Sequence, residues 1–542
     1  MAASGKPVGA GLEGLPTPEL VVGLVAPVGA ELDRVEEALA AVLARYPYEA
    51  IPVKLTDELA TLSLESLSEE TRRLDQIRAK MDAGNELRRR TRHADAMACL
   101  GVMAIRRERE SLNPESLSEG SGVDFDGSKA PRPRTAYVVR QLKRPEEVET
   151  LRLVYGDAFV LIGAHEPRRD RERRLAERNA QDCGRRHEGE DDQAARKLID
   201  RDQDESASPF GQRLSETYHL ADAIVDAGTP EAAESQLGRV FDAFFDKPFT
   251  TPTRAEYFLN LARQVALRSA DLSRQVGAVI VGDDDAILGV GCNDVPKPGG
   301  GCYWEGDPSD SRDFRLGYDP SVKQKQAILG DALERLGHAK WLADDRTSSA
   351  IERPADLVVA VTAKAREDAA GGPLAGAHVT DLLEFGRVVH AEMNALAEAA
   401  RAGRAVAGAT LYCTTFPCHM CARHIVAAGI RRVIYLEPYP KSLAFELHGD
   451  AIVEAGREGD PAGRVVFEAF IGVAPPLFER LFARGKRKTA DGDIESWHPV
   501  QAKPRLEILY PTHVHIEDAV VAKFYESLIA ADLLPDLPAP AS

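Results

Sequence analysis

Apolar and polar positions alternate along the first half of the chain in a pattern that predicts an α/β domain. The stretch 19–30 indicates a buried strand and a glycine turn. The helix after it carries Leu32, Val35, Leu39 and Val42 on one face. Further strands are predicted at 48–55, 135–140 and 157–163, and helices at 74–106, 145–155 and 232–249. Such alternation favours a parallel sheet with crossover helices.

The second half repeats strands and helices in a different order. It predicts a helix at 254–269 and a hairpin at 275–281 and 286–291, followed by a long insertion at 296–385. After the insertion, helices are expected at 391–402 and 418–428, and strands at 409–414 and 431–436. Thr and Pro at 250–253 mark the boundary between the halves. We therefore expect a flexible tail (1–16), a first domain (17–249) containing a solvated, charged helical arm at 168–205, a second domain (250–510) and a C-terminal helical extension (511–542).

Composition narrows the class of protein. The 542 residues carry a formal charge of −18, which disfavours a general duplex-DNA binder. Seven cysteines in so long a chain argue against a disulfide framework and for a reducing compartment. No apolar run reaches membrane-spanning length, and the N-terminus lacks the pattern of a signal peptide. These features predict a cytoplasmic protein that does not interact with membranes.

The strongest chemical signal is His390-Ala-Glu392 followed by Pro417-Cys418-His-Met-Cys421. One imidazole and two thiols three residues apart suit Zn²⁺, and a set of three protein ligands leaves a position for water. Glu392 would lie beside the metal and move protons between that water and the substrate. This is the signature of zinc nucleobase deaminases.

Two other sets of metal ligands are also compatible with the sequence. Cys418, Cys421, His424 and a remote His would form a structural Cys₂His₂ site, although this leaves His390-x-Glu392 unexplained. Cys183, His187 and His165 would form a second site, but their spacing is loose.

Four stretches together resemble deoxycytidylate (dCMP) deaminases: Ala278-Val-Ile-Val, Gly289-Val-Gly-Cys-Asn293, His390-Ala-Glu-Met-Asn-Ala and Phe416-Pro-Cys-His-Met-Cys-Ala-Arg-His-Ile. The resemblance implies a cytidine-deaminase-like α-β-α sandwich. It makes His390, Cys418 and Cys421 the zinc ligands and Glu392 the proton shuttle. Arg274, Asn293 and Ala391 match positions that bind the nucleotide.

The whole chain is similar to the bacterial anti-phage dCTP deaminases, which fuse a P-loop kinase-like domain to a dCMP-type deaminase domain. Stretches at 139–149, 198–202 and 211–212 support this likeness. It implies conversion of dCTP or dCMP to dUTP or dUMP plus ammonia, which depletes dCTP during phage infection. A homo-oligomer and an inhibitory RNA are partners implied by the resemblance alone.

The first domain departs from a working P-loop. At 24–31 the phosphate-binding Lys is replaced by Ala30 and the Mg²⁺-binding hydroxyl by Glu31, while Gly23 and Gly29 remain as the nucleotide-contact candidates. We expect a degenerate kinase fold that binds a regulatory nucleotide, or that only regulates and assembles the deaminase. A purely structural α/β domain is the alternative.

Three other functions fit the same zinc motif. They are deamination of a polynucleotide (tRNA or single-stranded DNA), a housekeeping dCMP deaminase with a nucleotide-sensing domain, and a non-catalytic nucleotide sensor. The acidic charge favours a free nucleotide over a polyanion, and the retained Glu392 argues against a sensor without activity.

Overall fold

A computed structural model describes residues 17–67, 70, 72–112, 130–205, 208–363, 371–382, 384–439, 442–456, 463–483, 487–506, 508 and 512–534. The expected tail at 1–16 lies outside these residues. The chain divides into two compact units. The first comprises Met1–Glu205, Phe210–Pro252 and Ile471–Ser542, and the second Ser206–Pro209 and Thr253–Phe470. None of the described helices is long and apolar enough to cross a membrane.

The first unit alternates strands and helices in chain order. Its elements are β1 (Leu20–Val25), α1 (Leu32–Ala44), β2 (Glu49–Lys54), α2 (Leu55–Glu58), α3 (Arg73–Thr91), α4 (Ala96–Leu112), β3 (Thr135–Arg140), α5 (Pro145–Tyr155), β4 (Phe159–His165), α6 (Arg168–Asp182), α7 (Gly189–Gln203), α8 (Leu214–Tyr218), β5 (Ala223–Asp226) and α9 (Pro230–Phe244). The predicted strand at 135–140 and helix at 145–155 are confirmed. The predicted helix at 74–106 is two helices, because Arg92 adopts a left-handed conformation (φ 58°) between α3 and α4.

Five of these strands form a parallel sheet in the order β5-β4-β1-β3-β2. Every residue of the central strand β1 is buried, as expected for a parallel strand covered on both faces. The chain first places β2 and β3 on one side of β1 and then crosses over to place β4 and β5 on the other side. The topological switch point of the sheet therefore lies beside β1. The carboxyl edge at such a point is where open α/β sheets form crevices.

The charged segment 168–205 differs from the solvated arm that we expected. It forms α6 and α7, which contact each other and bury Leu175, Ala176, Ala195, Leu198 and Ile199 together with Leu74 and Met81 of α3. The reason is helical periodicity: the few apolar residues fall on one face of each helix, whereas the Arg, Asp and Glu residues fill the other faces.

The second unit contains a mixed sheet with a helical insertion. Its elements are α10 (Arg254–Ala266), β6 (Gly277–Val281), β7 (Ile287–Cys292), α11 (Asp313–Leu316), α12 (Pro320–His338), α13 (Asp344–Glu352), α14 (Pro354–Thr362), α15 (Ala391–Arg401), β8 (Thr410–Thr415), α16 (His419–Ala427), β9 (Arg432–Glu437), α17 (Ala444–Leu447), β10 (Ile452–Glu454) and β11 (Val465–Ala469). The strand order is β10-β11-β9-β8-β6-β7, with β6 antiparallel to both of its neighbours. The insertion packs a small core of its own around Leu333, Ala350, Leu357 and Val358.

Glycines in β6 and β7 let two helices approach the sheet closely from opposite faces. A Cβ atom on Gly277 would lie 1.9 Å from the carbonyl oxygen of Ala262 in α10. On the other face, a Cβ atom on Gly289 or Gly291 would lie 2.4 Å from the carbonyl oxygens of Ala395 and Ala391 respectively, both in α15. Such contacts are too short for any side chain, so Gly277 allows the close approach of α10 to the sheet, and Gly289 and Gly291 allow that of α15.

After β11 the chain returns to the first unit, which corrects the expected 250–510 domain. Strand β12 (Gly472–Val473) pairs antiparallel with β5. Helices α18 (Pro475–Phe482) and α19 (Thr512–Ala530) follow. Residues 471–510 therefore complete the first unit, because pairing with β5 extends the first sheet at its edge.

A buried ion network holds α19 in the first unit. Arg109 of α4 is 0% exposed and donates to Glu517 of α19 at 2.7 and 2.9 Å. Its other guanidinium edges reach Glu19 at 3.0 and 3.1 Å. One cation thus joins the start of β1, the helix α4 and the C-terminal helix.

Candidate metal centre

The proposed zinc ligands sit at the starts of two helices on the same face of the second sheet. His390 is the residue before α15, with extended backbone angles (φ −63°, ψ 154°) that end the preceding bridge between Val389 and Asp294. Cys418 precedes α16 in the same conformation, after Pro417. Its thiol accepts the backbone N–H of Cys421 at 3.5 Å, so the helix cap and the ligand are one residue.

The three side chains converge. The Nδ1 atom of His390 lies 3.3 Å from Sγ of Cys418 and 3.4 Å from Sγ of Cys421, and the three ligand atoms all fall within 4.8 Å of one another. One imidazole nitrogen and two sulfurs at this spacing fit a tetrahedral Zn²⁺ site with one position for water. Among the described residues this is the single such group, and it contains neither His424 nor Cys183. His187 instead contacts Asp192 at 2.9 Å.

Electrostatics within the cluster favour a metal-binding state. Contact with Cys421 and with His390 lowers the pKa of the Cys418 thiol to about 4. The thiolate in turn raises the pKa of His390 to about 9, and the pKa of the buried Cys421 is raised because a second negative charge beside Cys418 is unfavourable. A dication removes that conflict, since it stabilises both thiolates and neutral imidazole.

Glu392 lies in the first turn of α15 and is 4% exposed. Burial raises the pKa of its carboxyl group, the Cys418 thiolate adds to this rise, and His390 opposes it. A buried carboxyl group beside the three ligands, and outside the ligand group itself, is suited to carry a proton rather than to bind the metal.

The predicted substrate residues differ in what they present to solvent. Asn293 is 7% exposed, and its amide accepts from Val276 N at 2.7 Å and donates to the Arg274 carbonyl at 2.8 Å. Asn293 therefore holds the backbone at 274–276. Arg274 is exposed, with its guanidinium carbon 5.8 Å from the ring centre of Tyr439. Ala391 is fully buried in the core, so a substrate contact there would fall on its backbone.

Asp271 belongs to the site and sequence reasoning missed it. Its Oδ1 atom accepts the backbone N–H groups of Ser273 and Arg274 at 2.8 and 3.0 Å, and its negative charge contributes to the raised pKa of His390. The sequence does contain a signal for this turn. An Asp that precedes polar residues by two and three positions is typical of an Asx turn, in which its side chain accepts their backbone N–H groups.

In the first unit, the loop before α1 is occupied by the protein's own side chains. Val28 N donates to Asp202 at 2.7 Å and Glu31 N to Glu166 at 3.1 Å. The Glu31 carboxylate pairs with Arg174 at 2.8 Å and Arg178 at 3.1 Å.

The predicted nucleotide contacts at Gly23, Gly29, Ala30 and Glu31 stay a prediction, and the geometry counts against them. Gly23 lies inside β1, where a Cβ atom would come within 2.8 Å of the Phe159 ring. Gly29 provides the turn (φ 86°), and the N–H of Ala30 is bonded to the carbonyl of Pro27 at 3.1 Å. Two of the loop's amide donors are therefore committed to carboxylates and a third to a carbonyl.

Residues 252–437 match the family model described as the cytidine and deoxycytidylate deaminase zinc-binding region. The match contains every residue of the metal cluster and Glu392. Together with the geometry, it identifies residues 252–437 as a zinc-binding deaminase region.

Several similar proteins are named deoxycytidylate or dCMP deaminases. A deoxycytidylate deaminase of Enterobacteria phage T2 is 46% identical over 54 residues, which is 10% of this chain and 29% of that protein. The chain thus spans less than a third of that phage relative. The Mycobacterium phage D29 deoxycytidylate deaminase is 28% identical over 184 residues, 34% of this chain and 94% of the relative. The apo structure of a cyanophage S-TIM5 dCMP deaminase is 17% identical, covering 40% of this chain and 98% of that one, with a TM-score of 0.20.

Proposed function

We propose that the protein is a zinc-dependent hydrolase that deaminates free deoxycytidine nucleotides, dCMP or dCTP, to the uridine nucleotides and ammonia. The observation that carries the proposal is the convergence of His390, Cys418 and Cys421 beside the buried carboxyl group of Glu392. Three ligands rather than four are the arrangement of a catalytic zinc site.

The residues divide the chemistry between them. A zinc ion held by His390, Cys418 and Cys421 would activate water for attack on the ring carbon that bears the amino group. Glu392 takes one proton from the attacking water and delivers it to the adjacent ring nitrogen. It then carries the second proton, from the hydroxyl group that the attack creates, to the departing amine. Water supplies the oxygen of the new carbonyl, and the C–N bond breaks to release ammonia. The low exposure of Glu392 keeps that proton from exchanging freely with solvent.

We assign recognition of the nucleotide to residues 274–276, whose backbone is held by the side chain of Asn293. Arg274 presents an exposed guanidinium group beside Tyr439, which suits a phosphate. The relatives named deoxycytidylate deaminases support dCMP as a substrate. The whole-chain resemblance adds dCTP, whose larger negative charge needs more cations than Arg274 alone.

The biological role that we propose is depletion of dCTP in anti-phage defence, with the first unit as a degenerate P-loop kinase-like domain that regulates the deaminase. The β5-β4-β1-β3-β2 parallel sheet and the strand–loop–helix at 20–44 support a kinase-like origin. The carboxylates that fill the loop support the loss of phosphoryl transfer.

A substrate panel tests the reaction. Purified full-length protein is incubated with dCMP, dCTP and a cytosine-containing oligonucleotide, and the ammonia and uracil products are measured with and without added nucleotides. We expect turnover of a free nucleotide and none after zinc is removed by a chelator. Turnover of the oligonucleotide alone would establish a polynucleotide deaminase instead. An effect of added ATP or deoxynucleotides on the rate would support the regulatory role of the first unit.

A further inference from the structure

The first unit contains a cavity of about 390 Å³ that the deaminase reaction does not use. It opens at the carboxyl edge of the first sheet, where β1, β2 and β3 end, beside the switch point. Ligand pockets of small molecules start at about 300 Å³, so the volume is sufficient for a phosphorylated small molecule.

The loop before α1 forms one wall of the cavity but offers no phosphate cradle. Asp202 accepts the N–H of Val28 at 2.7 Å and is itself paired with Lys143 at 2.7 Å. Lys143 also donates to the carbonyl of Ala26 at 2.8 Å. An anion that entered here would have to displace a carboxylate that is 1% exposed and forms an ion pair with Lys143.

The cations that line the cavity fall into two classes. Four have carboxylate partners: Arg88 with Glu147, Arg140 with Asp33 and Glu36, Lys143 with Asp202, and Arg178 with Glu31. The other three, Lys54, Arg73 and Lys80, make no ion pair within the described part of the chain.

The three unpaired cations leave a local excess of positive charge. Among the lining carboxylates, only Asp57 has no cationic partner within the described residues, so three positive charges face one negative charge. This excess of unpaired cations over unpaired carboxylates suits a phosphate monoester dianion. It stands out in a chain whose total charge is −18.

Another part of the lining is apolar. Leu55, Ile77, Met81 and Met97 line it. Methionine side chains adapt to flat or irregular groups, so this wall suits the ring of a sugar or a base.

We propose that this cavity binds a small phosphate ester, with Lys54, Arg73 and Lys80 holding the phosphate and the apolar wall holding the ring. The three cations lie outside the loop at 26–31, which forms one wall of the cavity and whose N–H groups at Val28 and Glu31 are bonded to Asp202 and Glu166. The proposal concerns the first unit alone and does not rest on the proposed deamination.

Calorimetric titration of the full-length protein tests this site. The probes are AMP, ribose 5-phosphate, inorganic phosphate and, as the phosphate-free control, adenosine. We expect AMP or ribose 5-phosphate to bind and adenosine to bind at least about tenfold more weakly. Tighter binding of AMP than of ribose 5-phosphate would identify a nucleotide as the ligand class, and equal binding a sugar phosphate.

Variants locate the binding. The triple substitution Lys54→Ala, Arg73→Ala and Lys80→Ala removes exposed side chains, and we expect it to weaken binding about tenfold or more with unchanged thermal unfolding. Arg89→Ala is the matched control, because Arg89 is exposed on α3 but does not line the cavity. Equal binding by the triple variant and the parent protein would overturn the proposal. So would the absence of binding of both phosphate esters at millimolar concentration.

Discussion

Both units build their central feature at the start of a helix, but they use the helix start in opposite ways. In the first unit the turn before α1 is filled by Asp202 and Glu166, which reach it from distant helix and loop positions. In the second unit the starts of α15 and α16 carry His390 and Cys418, whose Nδ1 and Sγ atoms lie 3.3 Å apart. The helix start is closed by carboxylates in one unit and carries the metal cluster in the other.

The difference shows that a strand–loop–helix arrangement is not by itself a site. Helix starts attract negative charge whether it comes from a ligand, a thiolate or a carboxylate of the chain. Which of these occupies the position depends on side chains elsewhere in the fold, and four sets of variants test the contrast.

The largest effect is expected from Cys418→Ala. Loss of one of three ligands should reduce bound zinc from about one ion per chain to near zero, and activity with it. Metal content is measured by elemental analysis. Cys413→Ala is the control, since Cys413 is buried in β8 and lies outside the ligand group. Full zinc content in the Cys418 variant would show that Cys418 is not a zinc ligand and that the metal centre is not the one described for the second unit.

Next in size is Glu392→Gln. Removing the proton carrier should lower the rate of deamination by about 10²- to 10⁴-fold while zinc content is retained. Glu398→Gln, on the same helix, should keep the parent rate, because Glu398 pairs with Arg401 and not with the cluster. Turnover near the parent value in the Glu392 variant would exclude the role assigned to it.

For the closed loop, Asp202→Ala leaves the N–H of Val28 and the ammonium group of Lys143 without their acceptor. We expect the free energy of unfolding of the first unit to fall by about 1–3 kcal/mol in urea titration. Asp200→Ala, two residues earlier on α7, removes only an exposed pair with Arg168 and should cost less than about 1 kcal/mol. Equal effects would mean that Asp202 does not hold the loop closed.

The smallest effect is expected from Arg274→Gln, which tests how the open site recognises its substrate. Loss of one exposed phosphate contact should raise KM for dCMP about tenfold, equivalent to about 1.4 kcal/mol, with kcat within about twofold. Arg254→Gln serves as the control, because Arg254 is exposed and pairs with Asp285. An unchanged KM would remove Arg274 from the substrate site.

The metal centre could be predicted from sequence because its chemistry is local. Cys418 and Cys421 lie in one helix turn, and the His390-x-Glu392 spacing fixes the other half. The central strands β1 and β3 could also be predicted from the sequence, since most of their residues are apolar.

Long-range contacts could not be predicted in the same way. Asp202 reaches Val28 across 174 positions, and nothing in either segment signals the pairing. The return of the chain to the first unit was missed for a similar reason, because β12 has two residues and no periodicity. The packing of α6 and α7 follows from the spacing of their few apolar residues, a signal that the charged composition of the segment masks.

The pairing of Arg109 with Glu517 has a consequence for the order of events during synthesis. Residues 253–470 leave the ribosome after β5 and before β12, so the second unit can fold while the first still lacks its edge strand and its last helix. Until Glu517 emerges, Arg109 faces Glu19 alone and the surface that α19 will cover is exposed to water. The N-terminal unit is therefore the last to be completed, the reverse of the usual order in multidomain chains, and proteolysis of arrested nascent chains would detect its late protection.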